Sequence, residues 1–192
     1  MRDLAHYIRT YDDEMEAPFR QQLVASFDSL ERFQTRNGRG VRAGLEASAW
    51  TELNVTRLAD AGFLAAFRLR IDRALERYNR DLGLSIAVPN SPQHADLVMK
   101  RYCPGREEAF QVHFDAIYEL ARRYLVMLWY LNDVEEGGET RFPQLDVIIR
   151  PKAGRLLMFP PYWMYQHEGA LPISGDKFIL STYLLFTDTP RP

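Results

Sequence analysis

Beyond the proline-bearing loop Pro89–Gln93, the chain breaks into short apolar segments separated by turn residues: ADLVMKRY, FQVHFD, RRYLVMLWYL, DVIIR, GRLLMF and KFILSTYLLF. Their length and their valines, isoleucines and aromatics fit strands better than helices. Six short strands split by glycine-bearing turns favour a two-sheet sandwich or jelly roll.

Ahead of them the periodicity is helical. Phe19, Leu23, Phe27, Leu30 and Phe33 recur at helix spacing, Pro18 suits a first turn, and Asn37-Gly38 supplies a stop, so a helix is predicted over 18–33. A second begins near Asp60 and carries Leu64, Phe67, Ile71, Leu75 and Tyr78 on one face. Arg68, Arg70, Arg73, Arg77 and Arg80 cover much of the remainder and are read as a solvated face. The expected class is α+β with a mainly β core, buttressed by N-terminal helices.

A chain of 192 residues, 46% hydrophobic and 26% charged, is long enough to bury a full core as one domain. The formal charge of −2 provides no global basic field for nucleic acid or an anionic membrane. The longest apolar run, Tyr124 to Leu131, is far short of the roughly 20 residues that span a bilayer. The lone Cys103 and a charged N-terminus without a signal-peptide pattern lead us to expect a soluble, cytoplasmic protein.

Within that β-rich half, QVHFDAIYEL separates His113 from Asp115 by one residue. On a strand, a spacing of two returns both side chains to one face. His167, in WMYQHEG, is the other histidine in this half and is expected on a strand bordering a cavity. Two histidines and a carboxylate on one face of a metal suit a non-haem iron(II) oxygenase, which needs open positions for a cosubstrate and dioxygen. Zinc accepts the same ligands and would give hydrolytic chemistry instead. By alternation Lys177, Ile179, Ser181 and Tyr183 share a face. A lysine aimed inward there is costly unless it meets an anion; one that snorkels to the rim meets only water.

The ordered series RYCPG, HFD, YLNDVEEGGETRFP, VIIRPKAGRLLMFP, HEGALPISGDK and LSTYLLF, over roughly residues 97–188, resembles the core of the iron(II)- and 2-oxoglutarate-dependent oxygenases of the prolyl 4-hydroxylase-like branch. The resemblance implies a double-stranded β-helix, or jelly roll, with residues 1–95 as supporting helices and strands and 96–188 as the catalytic core. It also implies Fe(II) held by His113, Asp115 and His167, with 2-oxoglutarate and O2 as cosubstrates. Lys177 is then the residue for the distal carboxylate of 2-oxoglutarate, and Tyr130 reaches the same carboxylate. Tyr102 and Ser181 match positions lining the cosubstrate pocket. Because Asp115 keeps the carboxylate that related halogenases lack, the implied reaction is hydroxylation of a C–H bond, with 2-oxoglutarate decarboxylated to succinate. The implied substrate is a peptidyl proline or an amino-acid-like small molecule. A noncatalytic 2-oxoglutarate- or metal-binding sensor is the alternative from another class.

Other segments carry weaker signals. Tyr130 is expected to share a strand face with Tyr124, Val126 and Leu128, and DVEEGGETR (Asp133–Arg141) to form a flexible hairpin. The basic stretch RNGRGVR (Arg36–Arg42) suits either substrate contact or plain solubility, and the Arg122-Arg123 pair either an ordinary strand entrance or the metal mouth. Tyr162, Trp163 and Tyr165 are read as packing, and Asn54-Val55-Thr56 as a chance glycosylation triplet.

Overall fold

The computed structural model describes residues 3–41 and 43–187; Arg42, at the end of the basic stretch, and Asp188, where the expected core ends, lie outside them. The N-terminal half contributes β1 (Arg9–Tyr11), α1 (Ala17–Ser29), β2 (Thr35–Gly38), β3 (Ala49–Asn54) and α2 (Ala61–Leu82). There follow β4 (Val98–Tyr102), β5 (Phe110–His113), β6 (Arg123–Tyr130) and β7 (Thr140–Phe142). The chain continues through β8 (Val147–Ile149), β9 (Leu156–Phe159), β10 (His167–Gly169) and β11 (Lys177–Leu185).

Two antiparallel sheets result, one ordered β1-β9-β6-β11-β4-β3-β2 and the other β5-β10-β7-β8. The long apolar strand β11 lies at the centre of the larger sheet, paired with β4 on one side and β6 on the other. Alternation gives this sheet two buried faces. One, with Leu125, Met127, Trp129 and Leu180, packs on Phe27 of α1 and on Phe67, Ile71, Leu75 and Tyr78 of α2. The opposite face, with Tyr102, Val126, Tyr130 and Ile179, meets Phe142 and the flanking residues of the smaller sheet. This is the jelly-roll sandwich, with helices on its outer side and the site between its sheets.

Helix α2 starts where the sequence predicts. Asp60 caps it by accepting a hydrogen bond from the Phe63 amide at 2.8 Å, and Gly83 ends it in the left-handed conformation. Helix α1 departs from expectation, stopping at Ser29, with a tight turn over Glu31–Phe33. The Gln34 side chain donates to the Phe27 carbonyl at 2.6 Å and closes the last turn, and Asn37-Gly38 then pairs with Trp50 and Ala49 in a sheet rather than ending a helix.

Three other expectations are corrected. β5 ends at His113, so Asp115 lies in the bend beyond it, where the Asp115 and Ala116 amides both donate to the Pro161 carbonyl at 3.0 Å. Tyr124 packs with the helix-facing core rather than beside Tyr130, because the β6–β11 register slips between Leu184 and Leu185 and breaks the alternation. Asp133–Arg141 is a crossover between sheets and not a hairpin, since β6 and β7 belong to different sheets.

That crossover depends on Gly137. Its φ is +75°, and a Cβ there would fall 2.3 Å from the Leu171 carbonyl oxygen. Gly137→Ala therefore combines a left-handed backbone with a backbone collision and is expected to cost about 2–5 kcal/mol. Gly40, also at positive φ but with nothing within 4 Å of a Cβ, is the control: Gly40→Ala carries only the backbone term. Thermal melts of the two variants check the difference.

Candidate metal centre and cosubstrate pocket

His113 and His167 face one another as a cross-strand pair of β5 and β10, with ring centroids 4.3 Å apart. The bend after β5 carries Asp115 between them, its Oδ1 3.7 Å from His113 Nε2 and its Oδ2 3.6 Å from His167 Nε2. One ligand atom from each of the three lies within 4.8 Å of the others. His113 Nδ1 is 2.8 Å from the Gln111 carbonyl and His167 Nδ1 3.1 Å from the Tyr165 carbonyl. A carbonyl only accepts, so each Nδ1 carries the proton and each Nε2 presents its lone pair to the space beside Asp115.

The electrostatics fit a cation. Burial lowers the His167 pKa to about 4, so this ring is neutral at physiological pH and needs to lose no proton to ligate. Burial alone would push Asp115 up, but His113, His167 and Arg123 together hold it well below the ordinary carboxylate range. Its Oδ2 is buried with no hydrogen-bond partner. An ionised, dry and unsatisfied oxygen beside two imidazole lone pairs is the donor set of a divalent transition metal.

Three of the predicted cosubstrate residues, Lys177, Tyr102 and Ser181, line a narrow cavity next to this centre, and Tyr130 is not among its lining residues. Lys177, only 2% exposed, opens β11 and pairs across the ladder with Tyr102. Its Nζ donates to the Gly138 carbonyl at 2.9 Å and lies 4.6 Å from the Tyr102 ring centroid. Burial drags its pKa down to about 7 from the usual 10.5. Among the described residues no carboxylate is within ion-pair distance of it, so the ammonium suits an incoming anion. Ser181, two positions past Ile179 on the same face, lines this cavity as well as the groove outside it.

Tyr130 is fully buried on the same side of the sheet, its hydroxyl 2.6 Å from Thr140 Oγ1 across the gap between the sheets. Thr140 escaped the sequence reading, since β7 has three residues and shows no usable alternation. Tyr130→Phe strands the Thr140 hydroxyl and is expected to cost about 1–3 kcal/mol, whereas adding Thr140→Val removes both polar groups and restores much of the loss. Urea unfolding of the single and double variants measures the recovery.

Outside the centre a groove of about 950 Å³ runs past Trp50, Phe110, Tyr118, Tyr183 and Arg123. Trp50 stacks on Phe110, and Phe110 lies against the His113 ring, 3.9 Å between centroids. Of the pair Arg122-Arg123, Arg123 reaches the metal mouth, 4.0 Å from Asp115 Oδ1, and Arg122 bonds the Phe186 carbonyl at the strand entrance. Tyr165 is buried as packing, but Trp163 is 64% exposed.

Comparison with known proteins agrees with this geometry. The 2OG-Fe(II) oxygenase superfamily matches residues 97–185. A probable prolyl 4-hydroxylase 11 of Arabidopsis thaliana is 36% identical over 87 residues, or 40% of this chain and 29% of the plant protein's length. A viral collagen prolyl hydroxylase of Paramecium Bursaria Chlorella virus-1, solved with 2OG, superposes with a TM-score of 0.64 at 19% identity, covering 94% of this chain and 97% of that one. A prolyl hydroxylase of Trichoplax adhaerens, in complex with a hypoxia inducible factor peptide, gives 0.72 at 16% identity over 94% and 84%. No helix among the described residues is long and apolar enough to cross a membrane. Residues 97–185, a little under half of the chain, are thus similar to the 2OG-Fe(II) oxygenase superfamily, whose members use Fe(II), 2-oxoglutarate and O2.

Proposed function

We propose that the chain is an Fe(II)- and 2-oxoglutarate-dependent hydroxylase acting on a C–H bond of a peptide. The observation that carries this reading is the unpaired, buried Asp115 Oδ2 beside two histidine lone pairs, placed between a lysine-floored cavity and an aromatic groove. His113, Asp115 and His167 would hold the iron. When bound, iron would supply the oxidative chemistry that converts 2-oxoglutarate, O2 and a substrate C–H bond to succinate, carbon dioxide and the hydroxylated substrate.

The chain's own residues do the placing. Lys177 receives the far carboxylate of 2-oxoglutarate, with Thr140 in the cavity wall and held by the Tyr130 hydroxyl behind it, Tyr102 beneath the ammonium and Ser181 toward the mouth. Apolar neighbours such as Val126, Leu128 and Ile179 limit water around that dianion and strengthen its attraction to the ammonium. Groove size favours a peptide over a free amino acid, since about 950 Å³ lies at the upper end of small-ligand pockets. Trp50, Phe110 and Tyr118 offer flat faces for the side chains of an extended segment. Holding the target C–H bond still is what makes the oxidant productive.

The test is anaerobic loading with Fe(II) and 2-oxoglutarate, then admission of oxygen with panels of proline-containing peptides and free amino acids. Succinate release coupled to the mass gain of one oxygen atom on a peptide supports the proposal; gain on a free amino acid corrects the substrate class. Tight 2-oxoglutarate binding without turnover would make the chain a sensor. Hydrolytic activity that survives without oxygen and 2-oxoglutarate would make it a zinc hydrolase.

A further inference from the structure

Tyr183 stands on β11 six residues beyond Lys177, on the same face, and it does something the cosubstrate pocket does not require. Its hydroxyl donates to Asp115 Oδ1 at 2.9 Å. A carboxylate oxygen only accepts, so the phenol is the donor of this bond. Arg123 stacks on the other side, its guanidinium 3.8 Å from the Tyr183 ring centroid, and Nη1 donates to the Asp115 backbone carbonyl at 3.4 Å. Oδ1 is thus engaged by the protein, while Oδ2 has no partner and lies 3.6 Å from His167 Nε2.

A carboxylate on a bend, outside any strand, is free to rotate about its Cβ–Cγ bond unless something fixes it. Rotated, it would offer both oxygens to the metal and occupy a second coordination position. Resting on the metal-centre reading above, we infer that Tyr183, backed by Arg123, is a positioning residue that restricts Asp115 to ligation through Oδ2 and keeps the neighbouring coordination position open. The hydroxyl's hydrogen bond sets the carboxylate's rotation, and the guanidinium holds the phenol ring in place by stacking and by its bond to the Asp115 main chain.

Tyr183→Phe removes one oxygen atom and leaves the ring and its stacking intact. Outer partners of metal ligands typically govern about 10–100-fold in metal affinity, and that loss is expected for Co(II) binding, measured without oxygen or turnover. The visible spectrum of the Co(II) protein is expected to weaken as a second carboxylate oxygen raises the coordination number, a signature that a merely structural role would not move. Arg123→Met is expected to shift both readouts in the same direction by less. His167→Ala is titrated alongside. Should it lose Co(II) binding while Tyr183→Phe matches the parent in affinity and spectrum, the positioning role is overturned and the metal centre stands. Were His167→Ala also to bind like the parent, the metal-centre reading itself would fall.

Discussion

Replacing Lys177 with methionine is expected to weaken 2-oxoglutarate binding by at least about 100-fold and, at the same time, to raise the melting temperature of the cosubstrate-free protein. The two effects share one cause. A lysine whose pKa falls to about 7 on burial holds its charge in the folded state at a cost on the order of 4 kcal/mol at neutral pH. The Gly138 carbonyl and the Tyr102 ring offset part of that cost. Methionine keeps a similar unbranched stem without the charge, and replacing unpaired buried charge by apolar volume commonly gains about 1–4 kcal/mol. For a domain of this size each kcal/mol moves the melting temperature by roughly 2–4 °C. Calorimetric melts of the free protein and anaerobic 2-oxoglutarate titrations read the two effects separately; unchanged affinity would remove Lys177 from the cosubstrate site.

The same lysine fixes the direction of a pH effect. Its folded pKa lies below its unfolded value, so between about pH 7 and 10.5 the unfolded chain carries a proton that the folded chain lacks. This group's contribution to stability therefore rises with pH across that window. Cosubstrate binding runs the other way: a dianion favours the ammonium, so above pH 7 binding takes up a proton and affinity falls by up to about tenfold per pH unit. Titrations at pH 8 in buffers of different ionisation enthalpy reveal the uptake.

Period-two alternation was enough to put Lys177, Ile179, Ser181 and Tyr183 on one face, and that face lines the cavity. It failed at Tyr124, where a register slip turns the side chain to the other core, a displacement set by the neighbouring strand and invisible in the residue's own surroundings. Asp115 ended up beside His113 for a reason the strand argument did not contain: two amides on one Pro161 carbonyl shape the bend. Thr140 and Gly138 meet Tyr130 and Lys177 through a crossover between sheets, and such long-range meetings leave no local periodicity. Helix caps, by contrast, are local chemistry. Asp60 starts α2 where the residues indicated, and Gly83 closes it by the same kind of local signal.

Asp115→Asn is expected to abolish both metal binding and turnover while leaving the metal-free fold nearly unchanged. Asparagine has the same shape and its Oδ1 still accepts the Tyr183 hydroxyl, so the contact that now measures 2.9 Å survives. What disappears is the anion: an amide nitrogen with no lone pair to give replaces Oδ2, the atom now buried without a partner. Two imidazoles alone hold a divalent ion poorly, because the charge-neutralising ligand is gone. In the parent, a divalent ion at 100 times its dissociation constant adds about 2.7 kcal/mol of stability, or roughly 5–10 °C in melting temperature. Asp115→Asn should show no such rise at the same Mn(II) concentration, whereas Lys177→Met should keep it in full. Melting curves with and without Mn(II), run on all three proteins, separate the metal centre from the cosubstrate pocket; an Asp115→Asn protein still stabilised like the parent would mean that Asp115 is not a ligand.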